Sequence, residues 1–230
     1  MTQPLAGRHV VVTGGGGALG TVVVARLLEA GAVCHVPAHQ AADTASSGRL
    51  SVTPGIELTD ESAVARFYEG LPALWASVHL AGGFAAAAIA DTSRADFLRM
   101  IEMNTLTAFL CSRAAVQAMR RGEAGGRIVN VAARPGLEPR RGAGMAAYAL
   151  SKAAVVALTL ALAEELKAER ILVNAIAPST LDTPANRQAM PDADRSRWLS
   201  PGAAAEAVLQ LVSPANQEIS GAVLPLYARA

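Results

Sequence analysis

A tyrosine and a lysine four residues apart are the residues of this 230-residue chain most suited to acid–base chemistry. Tyr148 and Lys152 lie in an alanine-rich segment that predicts a helix, so their side chains share one face. A tyrosine phenol has a pKa of about 10 and reacts slowly as an acid near neutrality. A neighbouring lysine cation stabilises the phenolate, so we expect it to lower the pKa of Tyr148. The pair predicts general acid catalysis, although an isolated pair of this spacing is usually plain helix surface.

A glycine-rich turn near the start of the chain predicts a phosphate site. Residues 13–20 read TGGGGALG and join a predicted strand at 9–13 to a predicted helix at 21–30. Glycines at such a turn let the backbone approach a pyrophosphate, which then lies at the N-terminus of the helix. A glycine cluster alone is weak support, but a strand before it and a helix after it favour a dinucleotide site.

The elements that would position these residues alternate along the chain. Apolar, β-branched runs predict strands at 9–13, 33–36, 75–81, 127–132, 171–177 and 221–226, with a short third strand inside the loop 41–55. Helical patterns occupy 21–30, 60–69, 93–121, 147–170 and 202–212. The alternation predicts an α/β fold: one Rossmann-type domain over residues 1–230, a doubly wound parallel sheet of about seven strands with helices on both faces.

Composition excludes several other classes of function. The net charge is +1, from 20 basic and 19 acidic residues, which gives no electrostatic basis for binding nucleic acid or a membrane surface. The longest apolar run, 153–163, is shorter than the ~20 residues that span a bilayer, and the residues before the first strand lack the pattern expected of a signal peptide. We therefore expect a soluble, cytoplasmic protein. Cys34 and Cys111 lie in apolar runs and are predicted to be buried free thiols, with no metal site.

Several motifs, in order, resemble the short-chain dehydrogenase/reductase family. The turn has the spacing T-G-x-x-x-A-x-G, with Ala18 where the family has a glycine. Leu80-Ala81-Gly82-Gly83 follows the fourth strand, where the family has Asn-Asn-Ala-Gly. Asn104, the Tyr148–Lys152 pair and the segment VNAIAPSTLDT at 173–183 complete a resemblance that covers nearly the whole chain.

The resemblance implies NAD(P)-dependent hydride transfer to a small-molecule substrate. Tyr148 would be the acid, Lys152 would hold the nicotinamide ribose, and Asn104 would hold a water beside the lysine. It also implies a homodimer or homotetramer, in keeping with a helix at 147–163 that is apolar on nearly every face. The cofactor contacts that it implies are Thr13, Gly14, Gly17, Ala18, Leu19, Gly20, Glu57, Leu58, Ala81, Gly82, Tyr148, Lys152, Pro178, Thr180, Leu181 and Thr183.

The choice between NAD and NADP stays open. A carboxylate at the end of the second strand would select NAD, but that position holds Ala38. A basic residue at position 17 or 39 would favour NADP. Position 17 holds a glycine, and position 39 holds His39, which is the only candidate of the two. Glu57 stands where the family usually has an aspartate near the adenine, and is equally well explained as a turn or cap carboxylate.

The serine that orients the substrate oxygen in the family is missing. Alignment of RIVNVAARPG, 127–136, places Ala133 there. A lost donor to a developing oxyanion can cost ~10²–10³ in rate. Either the protein is an idle cofactor-binding sensor or scaffold, or its substrate does not need that donor.

A closer resemblance favours the second possibility. Residues 179–198 and 144–152 are similar to dihydropteridine reductases, a branch that keeps the tyrosine and lysine without the serine. Its quinonoid substrate accepts hydride readily. Our interpretation is hydride transfer to a C=O or conjugated C=N group, with quinonoid dihydropteridine reduction and an idle protein as alternatives. Trp198 and Arg187 have either a pocket role or an ordinary structural one. The arginines of the loop before Tyr148 are expected at the surface; they are Arg134, Arg140 and Arg141.

Overall fold

Seven parallel strands form one sheet at the centre of the molecule. The computed structural model describes residues 3–40, 46, 48–122, 124–227 and 229, so residues 41–45 and 47 of the loop predicted at 41–55 lie outside the described residues. The strands are β1 His9–Thr13, β2 Val33–Pro37, β3 Leu50–Thr53, β4 Ala76–His79, β5 Gly126–Val131, β6 Ile171–Pro178 and β7 Val223–Leu226. They lie in the order β3-β2-β1-β4-β5-β6-β7. The predicted doubly wound α/β fold is confirmed, and the strand order reverses beside β1, where such sheets bind ligands.

Helices cover both faces of the sheet because successive strand residues point to opposite sides. The helices are α1 Ala18–Glu29, α2 Glu61–Glu69, α3 Arg94–Met100, α4 Thr107–Met119, α5 Arg134–Leu137, α6 Ala146–Glu165, α7 Pro184–Ala189 and α8 Pro201–Val212. Val10 and Val12 pack with α1 and α8, whereas Val11 packs with α2 and α4. The run of valines in β1 thus supplies both halves of the core, as a strand buried on both faces must.

The helical region predicted at 93–121 contains a π-helical turn. Ser93 caps α3 in a reciprocal capping box with Asp96, so the start of the region follows the sequence pattern. Residues Ile101–Leu106 then form the π-helical turn, and α4 continues from Thr107. Such turns are rare and often lie at functional sites. This one holds Asn104, which is buried.

The longest helix, α6, carries the tyrosine–lysine pair. By length and composition it is apolar enough to cross a membrane, a test that core helices of globular folds also pass. One face buries Ser151, Lys152 and Thr159 against the sheet, while Leu150 and Leu160 are exposed on another. Polar groups buried on the sheet side are typical of a helix in a folded core.

A chain of polar side chains crosses the core beneath β4 and β5. Tyr68 Oη lies 2.8 Å from Ser77 Oγ, which lies 2.9 Å from His79 Nε2. His79 Nδ1 lies 2.8 Å from Asn130 Oδ1, and the Asn130 amide donates to Thr159 Oγ1 on α6 at 3.0 Å. A neutral His79 with its proton on Nδ1 satisfies every link. Burial lowers the pKa of His79 to about 4, which keeps it neutral.

Both cysteines are buried free thiols, as predicted. Among the described residues, no three His, Cys, Asp or Glu side chains come close enough to hold a metal ion.

Candidate active site

An open cleft of roughly 400 Å³ lies at the carboxyl ends of β1, β2 and β4. Six of the predicted cofactor contacts line it: Gly14, Gly17, Glu57, Leu58, Ala81 and Gly82. Lining residues outside that prediction are Gly15, Gly16, Pro37, Ala38, His39, Ile56, Thr59, Met103 and Thr107. Most of these come from the ends of other strands or from the π-helical turn. Their place in the cleft follows from the sheet order, which a motif search does not use.

The glycine-rich turn is packed so tightly that side chains are excluded from parts of it. Gly14 has φ +66°, and a Cβ there would lie 2.8 Å from the Ala81 nitrogen. A Cβ on Gly20 would lie 2.1 Å from the Gly14 oxygen, whereas Gly16 has open space on that side. Gly17 caps α1 with no side-chain hydrogen bond, so the N–H groups of the first turn lack a side-chain partner. This arrangement fits a diphosphate bound by main-chain N–H groups and the helix dipole.

Three other predicted contacts shape the turn instead of lining the cleft. Thr13 is buried, and its hydroxyl accepts a hydrogen bond from the Ala81 N–H at 3.2 Å. Ala18 is the first residue of α1, and Leu19 packs against the core. These residues hold β1, α1 and the end of β4 together, which fixes the shape of the cleft.

The far end of the cleft carries no strong signature for either nicotinamide cofactor. Ala38 and His39 line it, and His39 Nδ1 lies 3.3 Å from Glu57 Oε2 in an exposed pair. Hydrogen bonds from Thr59 lower the pKa of Glu57, so the carboxylate is ionised near neutrality. Neither lysine nor arginine is found among the described residues that line this cleft. The only acid there already has His39 and Thr59 as partners.

Lys152 and Tyr148 lie on α6, outside the lining of this cleft, and Lys152 reaches the end of β5. Lys152 is 6% exposed, and its Nζ donates to the Val131 oxygen at 2.8 Å. The ring of Tyr148 meets the ring of Phe84 edge-on, with 4.9 Å between centroids. Burial raises the pKa of Tyr148 to about 12 and lowers that of Lys152 to about 8. The expected lowering of the tyrosine pKa is therefore wrong for the protein alone: burial outweighs the lysine, which is directed to a main-chain carbonyl.

Asn104 lies beside the lysine and is held by protein partners. Its amide donates to the Gly83 oxygen at 3.0 Å and to Ser151 Oγ at 3.1 Å, while its Oδ1 accepts from the Gly83 N–H at 3.0 Å. A Cβ on Gly82 would lie 2.5 Å from Asn104 Oδ1 and 3.4 Å from Lys152 Nζ. Asn104 therefore ties the segment after β4 to the helix of the tyrosine. Its predicted water-holding role remains a prediction.

Ala133 comes two residues after Val131, the hydrogen-bond partner of Lys152, and its side chain is only a methyl. It is buried, follows β5 and precedes α5 as its N-cap. A Cβ on Gly136 would lie 2.8 Å from the Lys152 main-chain carbon, so α5 packs closely on α6. The short helix thus fixes position 133 relative to the lysine, and the chain provides no side-chain hydrogen-bond donor there.

The segment after β6 lies outside the lining of the cleft. Pro178 is the last residue of β6, and Leu181 forms a bridge with Leu199. Thr183 is buried and caps α7, accepting from the Asn186 N–H at 3.2 Å. Arg187 pairs with Asp182 at 2.6 Å, so its partner is internal. The predicted contacts of Pro178, Thr180, Leu181 and Thr183 with a cofactor stay predictions.

A second cavity, of roughly 300 Å³, opens between the segments that follow β5 and β6. Its lining residues are Arg134, Arg141, Thr180, Asp194, Arg197 and Trp198. The expectation that Arg134 is a plain surface charge is wrong: its side chain is only 18% exposed. The guanidinium stacks on Tyr227 at 4.5 Å, and its Nε donates to Glu138 at 3.0 Å. Trp198 lies in this wall, in agreement with the pocket role considered for it.

Comparison with known proteins agrees with this architecture. The family model described as short chain dehydrogenase matches residues 8–194. The chain is 34% identical to a galactitol 2-dehydrogenase of Rhizobium johnstonii, over 97% of this chain and 95% of the relative. It is 32% identical to a 2-dehydro-3-deoxy-L-rhamnonate dehydrogenase (NAD(+)) of a Sphingomonas species, over 78% of this chain and 74% of the relative.

A solved structure supports the fold. A short-chain type dehydrogenase/reductase from Mycobacterium ulcerans superposes with a TM-score of 0.89 at 24% identity, over 100% of this chain and 90% of the other. Family model, relatives and fold agree, and the chain belongs to the short-chain dehydrogenase/reductase family of NAD(P)-dependent oxidoreductases.

Proposed function

We propose that this enzyme transfers hydride between NAD(P) and a carbonyl or conjugated C=N carbon, with Tyr148 exchanging the proton. The observation that carries the proposal is the buried Lys152, hydrogen-bonded to the end of β5 with Asn104 and Gly82 beside it, at the edge of the sheet where the glycine-lined cleft opens. A buried cation is costly, so a fold that retains one next to a tyrosine points to a functional site. The names of the two relatives, dehydrogenases of a sugar alcohol and of a sugar acid, support the same reaction class.

The residues have separate roles in this proposal. The raised pKa of Tyr148 keeps the phenol protonated, so it can donate a proton to the oxygen or nitrogen of the acceptor. Lys152 holds a positive charge close by, and Asn104 fixes the backbone at Gly83. The cofactor, when bound, supplies the hydride. The main-chain N–H groups of the glycine turn bind its diphosphate.

Ala133 favours a second candidate substrate, a quinonoid dihydropterin. Reduction of a simple ketone builds charge on one oxygen, where a missing donor costs most. An electron-poor conjugated ring spreads that charge and needs less help. The intact Tyr148 and Lys152 and the dehydrogenase relatives argue against a catalytically idle protein.

A panel of acceptors tests the proposal. Oxidation of NADH and NADPH is followed by absorbance with ketones, keto sugars, quinones and quinonoid dihydropterin. We expect turnover of at least one class, and its loss in Lys152→Met, because the buried cation is removed. No turnover with any acceptor, in either direction of the reaction, would reject the proposal.

For the cofactor, we propose weak discrimination between NAD and NADP. The cleft lacks both an acid at Ala38 and a lysine or arginine near His39 among its described residues. Fluorescence titration should give dissociation constants for NADH and NADPH that differ by less than ~100-fold, about 2.7 kcal/mol. A larger ratio would show that one of the two exposed groups, His39 or Glu57, selects the cofactor.

We also propose a homodimer or a tetramer built from dimers. Leu150 and Leu160 on α6 and Phe109 on α4 are about half exposed, and a two-fold partner would cover them. Light scattering at micromolar concentration should give a mass of at least twice 23.6 kDa. A mass near 23.6 kDa would contradict this.

A further inference from the structure

We propose that the cavity lined by Arg134, Arg141 and Arg197, which we call the arginine pocket, binds a carboxylate on the substrate. The enzyme would then act on carbonyl compounds that carry an acid group, such as keto acids. This inference deepens the proposed function and rests on it, since it assigns the substrate class of the same site.

The pocket offers more donors than its own acids use. Arg134 donates through Nε to Glu138, and the Arg141 Nε lies 3.7 Å from the same carboxylate, so two guanidinium groups share one acid. Arg197 Nε donates to a main-chain oxygen, that of Arg229, at 3.2 Å. Among the described residues, no partner hydrogen-bonds the terminal nitrogens of these three arginines. Free guanidinium N–H groups in a fork bind carboxylates in paired hydrogen bonds.

Charge balance favours a single negative charge. The lining contains three arginines and one acid, Asp194. With Glu138, the acid that pairs with Arg134 and Arg141, the group carries a net charge of +1. Asp194 is further occupied by the Ser196 N–H and hydroxyl, at 3.0 and 2.7 Å. One carboxylate neutralises the remaining charge, whereas a phosphate dianion would leave an excess of negative charge.

The pocket lies on the reacting edge of the sheet. Its two walls leave the carboxyl ends of β5 and β6, which are adjacent strands with Val131 paired to Ile176. Arg134 directly follows Ala133, and consecutive Cα atoms are about 3.8 Å apart. Val131, two residues before Ala133, is the hydrogen-bond partner of Lys152. One small molecule can therefore place its carbonyl at Tyr148 and its acid group among the arginines.

Carboxylate binding would also explain why the partly buried Arg134 has two fixed contacts. Stacking on Tyr227 and pairing with Glu138 fix the plane of its guanidinium, which lowers the entropy lost on binding a planar carboxylate. The indole of Trp198 provides an apolar wall beside it. An Arg–aromatic wall around one excess charge is suited to small organic acids more than to neutral sugars.

The test compares matched substrates in matched variants. Straight-chain keto acids of increasing length are compared with their neutral methyl esters in wild type, Arg141→Gln, Arg197→Gln and Arg140→Gln. Arg140 is the matched control, because it is an exposed neighbour of Arg141 in the turn Pro139–Gly142 and does not line the pocket. Arg134 is left unchanged, because its substitution would remove the packing on Tyr227 and could disturb folding. Cofactor consumption gives kcat and KM.

We expect wild type to prefer the acid at least ~10-fold in kcat/KM at the best chain length. Arg141→Gln and Arg197→Gln should each reduce this preference at least ~3-fold through the KM of the acid, and Arg140→Gln should behave like wild type. Equal turnover of acid and ester in wild type, or a preference that survives in both variants, would overturn the inference while leaving the proposed function intact.

A binding measurement separates the two proposals further. Trp198 is one of two tryptophans and lies in the pocket wall, so its fluorescence reports on occupancy. Titration with succinate should give a saturable change that Trp198→Phe and Arg197→Gln abolish and Arg140→Gln retains. Absence of saturation in wild type would reject the pocket whatever the turnover assays show. Saturation without turnover of any acceptor would reject only the proposed function.

Discussion

The cofactor end of the proposed active site, which is the glycine-lined cleft, and its substrate end, around Tyr148 and the arginine pocket, are built from different parts of the chain. The cofactor end is built from main chain: four glycines in a row and a helix whose N-cap, Gly17, makes no side-chain hydrogen bond, with an apolar core of α1 and α8 behind it. The substrate end is built from side chains: Arg134 on α5 and Tyr148 and Lys152 on α6 all follow β5, whereas Arg197 follows β6. Main-chain recognition depends on space and on backbone shape. Side-chain recognition depends on charge and burial. Added methyl groups should therefore impair the cofactor end, whereas removal of polar or charged groups should impair the substrate end.

The largest expected effect is on the substrate end. Tyr148→Phe removes the proton donor and keeps the ring that packs against Phe84, so the fold should be unchanged. We expect ketone turnover to fall by ~10³, because positioned acids contribute about 10²–10⁴. Steady-state kinetics measure this, with the melting temperature as the control for folding. Retention of a tenth of the wild-type kcat would exclude Tyr148 as the acid.

The cofactor end should be sensitive to a single methyl. Gly20→Ala places a Cβ 2.1 Å from the Gly14 oxygen, and the turn must move to relieve the overlap. We expect NADH affinity to fall by at least ~100-fold, or about 2.7 kcal/mol, together with a lower melting temperature.

Gly16→Ala is the matched control in the same turn. No atom lies within 4 Å of the added Cβ, so the melting temperature of the free protein should not change. Fluorescence titration and thermal unfolding measure both variants. Wild-type NADH affinity in Gly20→Ala would show that the turn is looser than its packing indicates.

The same contrast explains what the sequence could predict. The positions of the strands, the glycine turn and the helix of Tyr148 follow from periodicity and spacing over short stretches, and all seven strands lie close to their predicted positions. The direction of the Tyr148 pKa was predicted wrongly from its neighbour four residues away. Its burial depends on Phe84 and on segments distant in sequence, and burial decides the pKa.

Features that depend on tertiary contacts were likewise beyond the sequence. The π-helical turn Ile101–Leu106 has no local signature, since its residues read as ordinary helix. Arg134 resembles any loop arginine until Tyr227, from the far end of the chain, stacks on it. The polar chain from Tyr68 to Thr159 joins four elements, α2, β4, β5 and α6, and none of its residues belongs to a sequence motif. Each of these features depends on contacts between segments that are distant in sequence, which no short stretch of sequence carries.

The polar chain from Tyr68 to Thr159 gives the fold a pH dependence of stability. The folded pKa of His79 is about 4, below its ordinary value of 6.5. Between these values the unfolded chain binds more protons, so stability is complete above pH 6.5 and is lost as the pH falls towards 4. The loss attributable to His79 is roughly 3 kcal/mol.

His79→Asn tests this through the slope of stability against pH. Denaturant unfolding is measured from pH 7 to 4 in wild type and variant. The variant is less stable near neutrality but should show a shallower slope, because the titrating group is gone. His35 also has a lowered pKa and contributes in the same direction in both proteins, so only the difference in slope is assigned to His79. Identical slopes would show that His79 does not titrate in this range.

The smallest expected effect concerns the buried alanine that replaces a hydroxyl. Ala133→Ser should raise ketone reduction several-fold, because it restores a donor to the developing oxyanion. The rate with a quinonoid acceptor should stay nearly unchanged, because its charge is already delocalised. The gain is expected to be modest, since α5 begins directly after Ala133 and packs closely on α6, which fixes position 133 for a methyl. Parallel kinetics on both acceptors, in the Tyr148→Phe background as well, separate the two donors.

If wild type already reduces simple ketones faster than quinonoid acceptors, another hydroxyl has replaced the serine. Thr180, which lines the arginine pocket, is the first candidate, because the Ser179 hydroxyl already donates to the main-chain oxygen of Tyr227 at 3.2 Å.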